Sequence, residues 1–303
     1  MITAAETTAE ALGSFLVADY RRCFGASENR RAELLELAAR MAIECIANSD
    51  ALYHNFEHTL LVTLAGRDIL RGRALRVPIS PDDWLHFLLA CLAHDIGYVR
   101  GVVDGDSAYR FVVNAKGESV TLPRGASDAA LAPYHVDRSK LFILERFRTS
   151  ELIDCERVAH MIEFTRFPVP RSHNNLELDD ETGLVRAADL IGQLGDPNYL
   201  RNANALFHEF AEIGLNEKLG YSSPADLVET YPRFFWSHVS SHIAPALRHL
   251  NVTIEGRRWI SHLYANVFCA ERSLPLSGPQ RHDLQRAGAN LALEVPPQEP
   301  SQS

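Results

Sequence analysis

The 303-residue sequence lacks the features that mark membrane, secreted or nucleic-acid-binding proteins. Its longest apolar stretches, such as residues 85–93, are far too short to span a bilayer. The first ten residues contain acids and no basic residue ahead of an apolar segment, so we expect no signal peptide. Lys and Arg number 30 against 39 Asp and Glu, and no basic run offsets the formal net charge of −9. We therefore predict that neither a nucleic acid polymer nor a membrane is the partner.

Cysteine is scarce and scattered. The five cysteines form no Cys-x-x-Cys pair, and an odd, dispersed set is typical of a reducing compartment rather than of a disulfide framework. Hydrophobic residues make up 46% of the chain and charged residues 23%, which is ordinary for a soluble globular protein. We predict a cytoplasmic protein whose core is large enough to fold without a disulfide.

Strand signals are confined to one part of the sequence, and apolar residues at helical spacing cover most of the rest. Residues 80–83, Ser-Pro-Asp-Asp, have the cap, proline and acids that open a helix. Residues 100–133 are rich in Gly, Asp, Ser and Pro and include two short β-prone runs. We predict an all-α fold with a single helical domain at residues 1–293, a long loop or small hairpin inserted at 100–133, and a disordered tail at 294–303.

Three polar features interrupt the apolar pattern. His54 and His58 lie four positions apart, which would place them on one face of a helix. His94 and Asp95 end an otherwise very apolar helical run, where a buried carboxylate needs a partner. Asp189 is a lone acid in a third apolar run. Together these residues offer a nitrogen and oxygen ligand set suited to a divalent Zn, Mn, Fe, Mg or Ni ion.

The same signals recur elsewhere in the chain. Residues 282–283 form another His-Asp pair, and His238 and His242 are another histidine pair at helical spacing. Each signal alone is therefore as consistent with a surface or hydrogen-bonded residue as with a metal ligand.

The order of the three polar features along the chain is more informative than any one of them alone. His58, the His94-Asp95 dyad and Asp189 follow one another as in the HD superfamily of metal-dependent phosphohydrolases, which the sequence resembles. Residues 53–58, Tyr-His-Asn-x-x-His, are similar to the signature of the class I cyclic nucleotide phosphodiesterases, the branch to which the resemblance is closest.

Later motifs of that branch have counterparts as well. Met161 and Thr165 stand at the spacing of its Met-x-x-x-Thr segment, and Glu209-Phe210 resembles its late Glu-Phe pair. With these motifs the resemblance extends over residues 51–214, which form the motif core of the predicted domain.

The resemblance implies one or two divalent metal ions held by His58, His94, Asp95 and Asp189. It further implies a phosphohydrolase that cleaves a phosphoester or phosphodiester of a small, nucleotide-like substrate by metal-activated water, with Asp95 taking part in catalysis and His54 acting as the general acid. The implied partner is a small phosphorylated substrate, and exposed helices could also form a homodimer.

The sequence departs from the family at two places. Residues 96–98, Ile-Gly-Tyr, follow the dyad where the family commonly has a polar stretch that contains histidine. Residues 231–235 contain no Gln, the residue with which the phosphodiesterases hold the purine or pyrimidine of a cyclic nucleotide. These departures weaken the expectation of cyclic-nucleotide specificity and leave the metal chemistry unaffected.

Four further residues are candidates for a second metal or for support around the first: His135, His160, Thr165 and Asn55. If His135 and His160 are ligands, the order of histidines resembles the dinuclear HD proteins, which include di-iron oxygenases as well as hydrolases. A dinuclear-iron HD-type oxygenase is therefore the first alternative function. A catalytically silent HD ligand-binding module is the second.

Overall fold

Helices make up most of the structure, a computed structural model that describes residues 2–170 and 178–273. The predicted all-α fold is confirmed. None of the described helices combines the length and hydropathy that crossing a bilayer requires. The predicted tail at 294–303, residues 274–293 of the predicted domain and the His-Asp pair at 282–283 lie outside the described residues.

The described helices follow one another along the chain, with a long insertion between the fourth and the fifth. They are α1 (Ala4–Phe24), α2 (Asn29–Ile46), α3 (Phe56–Ala74), α4 (Pro81–Ala93), α5 (His135–Arg146), α6 (Cys155–Glu163), α7 (Glu181–Leu194), α8 (Tyr199–Glu212), α9 (Leu215–Leu219), α10 (Pro224–Phe234), α11 (Ser240–Leu250) and α12 (Ile254–Ser273). A π-helical segment, Phe235–Val239, joins α10 to α11. One hydrophobic core includes residues from Ala9 in α1 to Ala270 in α12.

The insertion between α4 and α5 contains the small hairpin that the sequence indicates. Strands β1 (Phe111–Val112) and β2 (Ser119–Val120) pair antiparallel, with Phe111 opposite Val120. They are the two strands of the described structure, so the sheet is a local feature of the insertion.

Helix α4 begins as its sequence predicts. The Ser80 hydroxyl accepts a hydrogen bond from the backbone N–H of Asp83 at 3.1 Å, and the Asp83 carboxylate accepts one from the backbone N–H of Ser80 at the same distance. This reciprocal cap fixes the first turn of the helix. From Trp84 to Ala93 every residue is buried, so α4 crosses the core and ends at the His94-Asp95 dyad.

Two glycines allow α3 to lie very close to its neighbours. A Cβ atom on Gly66 of α3 would lie 2.7 Å from the Cys91 sulfur of α4, and one on Gly192 of α7 would lie 2.6 Å from the Val62 Cα of α3. Helices α4 and α7 therefore pack against α3 at distances that a side chain at these positions would prevent. This packing brings together the three helices that carry the polar features described above.

We expect Gly192→Ala to destabilise the protein by about 1–3 kcal/mol, because the contacted Val62 atoms belong to the backbone and cannot turn away. Gly13→Ala is the matched control, since its new methyl group would meet mainly the flexible Glu36 side chain, 3.1 Å away. That variant should be neutral or slightly stabilising. Urea unfolding midpoints test both, and equal midpoints for the two variants would contradict the close α3–α7 packing.

The base of the insertion is fixed by a buried ion pair. The Arg138 side chain of α5 is 0% exposed and donates to both oxygens of the Asp106 carboxylate, at 3.1 and 2.8 Å. The same guanidinium donates to the backbone carbonyls of Gly97, Val99 and Val112 at 2.5–2.8 Å. Residues just after the dyad and residues of the hairpin are thus held by one side chain.

Removing this side chain should destabilise the fold strongly. We expect Arg138→Ala to cost about 3–5 kcal/mol, because it leaves the Asp106 carboxylate buried without its partner. The exposed Arg110, just before β1, provides the control, since the hydrogen bonds from its guanidinium to the Ser119 hydroxyl are exposed: Arg110→Ala should change stability by no more than about 0.5 kcal/mol. Chemical denaturation of both variants gives the comparison, and a small effect for Arg138→Ala would mean that the insertion is not anchored there.

Candidate metal centre

The four residues that form the centre lie in, or directly after, three helices. His58 lies in the first turn of α3, His94 and Asp95 directly follow α4, and Asp189 lies in the middle of α7. Asn55 caps α3, and its side-chain oxygen accepts from the backbone N–H groups of Glu57 at 2.9 Å and His58 at 3.3 Å. Asn55 therefore fixes the turn that carries His58.

The four side chains converge on one small space. The Asp95 Oδ2 atom lies 3.2 Å from His58 Nε2 and 3.1 Å from His94 Nε2. Asp189 Oδ1 lies 3.4 and 3.6 Å from the same two nitrogens, which are 3.3 Å apart. Ligand atoms around one divalent ion are roughly 3 to 3.5 Å apart, as metal–ligand distances of 2.0–2.2 Å require. The separations that involve the two imidazoles match this spacing, and the ligand atoms of His58, His94 and Asp95 all lie within 4.8 Å of one another.

The burial of the Asp95 carboxylate and the tautomer of the His94 ring also favour a bound cation. Asp95 Oδ2 is fully buried and has no hydrogen bond of acceptable geometry within the described residues, a costly state for a carboxylate oxygen. The Nδ1 atom of His94 is 2.9 Å from the Cys91 carbonyl, which can only accept a hydrogen bond, so Nδ1 carries the proton. In the neutral ring the Nε2 lone pair then points at the cluster. His58, His94 and Asp95 thus fit a divalent ion, and Asp189 adds a fourth donor.

The charges of the cluster depend on one another. Burial disfavours the charged form of His94, but the carboxylates of Asp95 and Asp189 outweigh it and raise the pKa of His94 well above its usual value. Against the same burial, the two imidazoles lower the pKa of Asp95 well below its usual range and that of Asp189 to about 2. Both carboxylates are therefore ionised at neutral pH, as metal ligands must be, and a bound cation would replace a proton on the His94 imidazole.

His54 lies beside the centre but not on α3. The helix begins at Phe56, so the expectation that His54 and His58 share one helical face is wrong: the Asn55 cap gives the chain an extended turn between them. The His54 ring nevertheless contacts the His58 ring, with centroids 5.6 Å apart. The turn, rather than the helical repeat, brings the two imidazoles together.

Glu209 of α8 holds His54 in place, a role that the sequence did not reveal. One Glu209 oxygen lies 2.5 Å from His54 Nδ1, and the other accepts from the backbone N–H groups of Tyr53 at 2.6 Å and His54 at 3.1 Å. Burial alone would lower the pKa of His54, but the Glu209 carboxylate outweighs it and raises that pKa to about 9. The resemblance of Glu209-Phe210 to a late family motif was the available signal, but it does not indicate which residue Glu209 binds.

A stack of three rings extends from His54 across the centre. The Tyr98 ring lies between those of His54 and His135, at centroid distances of 4.6 Å on both sides and interplanar angles of 12° and 20°. The His135 Nδ1 atom is 2.6 Å from the Ala132 carbonyl, and its Nε2 atom is 3.6 Å from Asp95 Oδ1. Burial lowers the pKa of His135, which keeps its ring neutral and able to bind a cation.

The other predicted residues lie elsewhere or have structural roles. His160 is exposed at the end of α6, and its ring contacts Phe164 rather than the cluster. The Thr165 hydroxyl donates to the Ile162 carbonyl at 2.8 Å and so satisfies the end of the same helix. His238 is exposed and its ring stacks on that of Phe234, as expected of a surface residue.

Comparison with known proteins identifies the chain's family. The model of the Npun_R2479-like family matches residues 3–273, so this predominantly helical chain with its buried His/Asp cluster belongs to that family. Neither the search of curated proteins nor the search of solved structures gave a match.

Proposed function

We propose that the protein is a metal-dependent phosphohydrolase acting on a phosphoester or phosphodiester of a small molecule. The observation that carries the proposal is that the His58 and His94 Nε2 atoms lie 3.1–3.6 Å from carboxylate oxygens of Asp95 and Asp189, with the four residues coming from three separate parts of the chain. The order of these residues resembles that of the HD superfamily, and the nitrogen and carboxylate donors suit a divalent cation. Such an ion, when bound, supplies Lewis acidity and lowers the pKa of water towards neutrality.

The residues of the chain itself supply positioning and a proton. Asp95 and Asp189 are ionised and hold negative charge at the centre, which favours a cation. With the cation bound, its positive charge would offset the repulsion between these carboxylates and a phosphate. His54 is kept protonated by Glu209 through Nδ1, and its Nε2 atom has no hydrogen bond to any described residue. That N–H group is therefore free to donate its proton to the departing oxygen of a substrate.

The composition of the chain supports the proposed cellular compartment and the proposed class of substrate. All five cysteines are unpaired, which supports a reducing compartment such as the cytoplasm. The net charge of −9 and the lack of basic runs favour a small phosphorylated molecule over a polymeric nucleic acid.

One observation favours a second candidate function, the dinuclear-iron oxygenase. His135 Nε2 lies 3.6 Å from Asp95 Oδ1, the carboxylate oxygen that does not face His58 and His94, so Asp95 could bridge two ions. His160, the other histidine of that hypothesis, is exposed, and its ring contacts Phe164. A second ion would thus have Asp95 and His135 as its protein ligands among the described residues.

Elemental analysis of protein purified without chelators, combined with an activity scan, tests these functions. We expect at least one divalent ion per chain and hydrolysis of phosphomonoesters or phosphodiesters. Two irons per chain with consumption of oxygen would instead support the oxygenase. A metal-free protein that hydrolyses nothing would support the ligand-binding module and contradict the proposal.

A further inference from the structure

A cavity of about 210 Å³ lies beside the metal centre and has His58 in its wall. This is more than a single water molecule needs, so a small organic group has room there. Its wall comes from the start of α3, the end of α7 and the start of α8.

His58 differs from the neighbouring imidazoles in its hydrogen bonds. The Nδ1 atoms of His94 and His135 each bond a backbone carbonyl, at 2.9 and 2.6 Å. The Nε2 atom of His58 faces the cluster, and its Nδ1 atom has no hydrogen-bond partner in the part of the chain that the structure describes. A metal-binding imidazole almost always donates its second N–H to a carbonyl, a carboxylate or water. Within the described residues, this N–H is therefore left to water or to a molecule bound in the cavity.

The cavity wall offers hydrogen-bond acceptors and negative charge. Glu57 is exposed at its edge, and its carboxylate makes no ion pair with a described residue. Asp196 is buried and accepts from the Asn202 amide N–H at 3.1 Å, which leaves the Asn202 side-chain oxygen as an acceptor. The described residues of the wall include no Lys or Arg. Groups rich in hydrogen-bond donors match this wall, and anions do not.

We propose that this cavity binds the organic part of the substrate, and that this part is a polyol or an amino alcohol. The inference rests on the proposed function, since it assigns the group to which the cleaved phosphate is attached. A hydroxyl of the bound group accepts the Nδ1–H of His58 and donates to Asn202. An ammonium group pairs with Glu57. A carboxylate or a second phosphate is excluded, because it would lie against Glu57 and Asp196 without a cation.

Ligand-observed NMR on the zinc-loaded full-length chain tests the proposal with two matched pairs of probes, glycerol with glycerate and ethanolamine with glycolate. We expect glycerol and ethanolamine to bind and the two carboxylates not to. Asn202→Phe, which fills the cavity, should abolish the binding of glycerol and of ethanolamine. Glu57→Gln keeps the shape of an exposed side chain. It should weaken the binding of ethanolamine about fivefold and the binding of glycerol less. Glu10→Gln, an exposed acid on α1, is the control.

Two results would overturn the inference: carboxylates that bind as well as their matched partners, or donor-rich probes that fail to bind the wild type. Rates on the corresponding phosphate esters separate this inference from the proposed function. Hydrolysis without preference for the glycerol and ethanolamine esters refutes the cavity's role and leaves the hydrolase intact. Selective binding of the probes without hydrolysis of any ester refutes the hydrolase and leaves the cavity as a binding site.

Discussion

Replacing Asp189 with asparagine should remove the metal from the protein and abolish its activity. The change keeps the shape of the side chain but takes away an ionised ligand that lies 3.4 and 3.6 Å from the two imidazole nitrogens. Residues that merely support a ligand typically change metal affinity 10–100-fold, so the loss of a ligand should cost more than about 100-fold. Elemental analysis after purification without chelators measures the loss directly, and His58→Ala should give the same result.

A matched control exists in the same chain. Asp179 also pairs with a histidine, 2.6 Å from the His249 Nε2 atom, but it lies outside the cluster. Asp179→Asn should retain the metal content of the wild type. The metal centre would be refuted by an Asp189→Asn protein that keeps its metal, or by equal losses in the two variants.

Removing the proton donor should produce the second large effect. We expect His54→Gln to lower kcat by about 10²–10⁴-fold, which is the usual contribution of a general acid. The metal content of this variant should equal that of the wild type. The exposed His160→Gln variant should retain full activity. Steady-state kinetics with parallel metal analysis distinguish the loss of the proton donor from the loss of the metal.

The pH dependence provides a sharper test of the same residue. His54 acts in its protonated form, and its pKa of about 9 keeps that form populated up to about pH 9, above which activity should fall. Glu209→Gln removes the carboxylate that outweighs burial, so the pKa of His54 should fall and the alkaline limb should move to lower pH. An alkaline limb that does not move in Glu209→Gln would exclude His54 as the group that titrates.

The sequence was sufficient to predict the helical class and to select four residues that meet. His94, Asp95 and Asp189 stand out as polar residues in apolar helical runs, where they need partners. The order of His58, the His94-Asp95 dyad and Asp189 along the chain, which resembles that of the HD superfamily, distinguishes this set from the other histidine pairs. The hairpin of the insertion could be predicted because its β-prone runs flank a short turn. These features depend on local composition, which a single sequence displays directly.

Other features depend on the path of the chain in three dimensions. The i,i+4 spacing of His54 and His58 suggested one helix, but Asn55 caps α3 and places His54 outside it. Glu209 binds His54 from 155 positions away, and no periodicity encodes such a contact. His160 stands at a plausible place in the order of histidines, yet the rotation of α6 turns it to solvent.

The anchoring of the insertion has a consequence for how the molecule opens. Arg138 bonds the carbonyls of Gly97 and Val99 together with the Asp106 carboxylate, and the neighbouring Ser139 hydroxyl donates to the His94 carbonyl at 2.7 Å. The hairpin cannot detach without releasing the backbone that carries His94. Partial unfolding of this region and disassembly of the donor set are therefore a single cooperative event, and amide hydrogens on both sides of the dyad should exchange with solvent at a common rate.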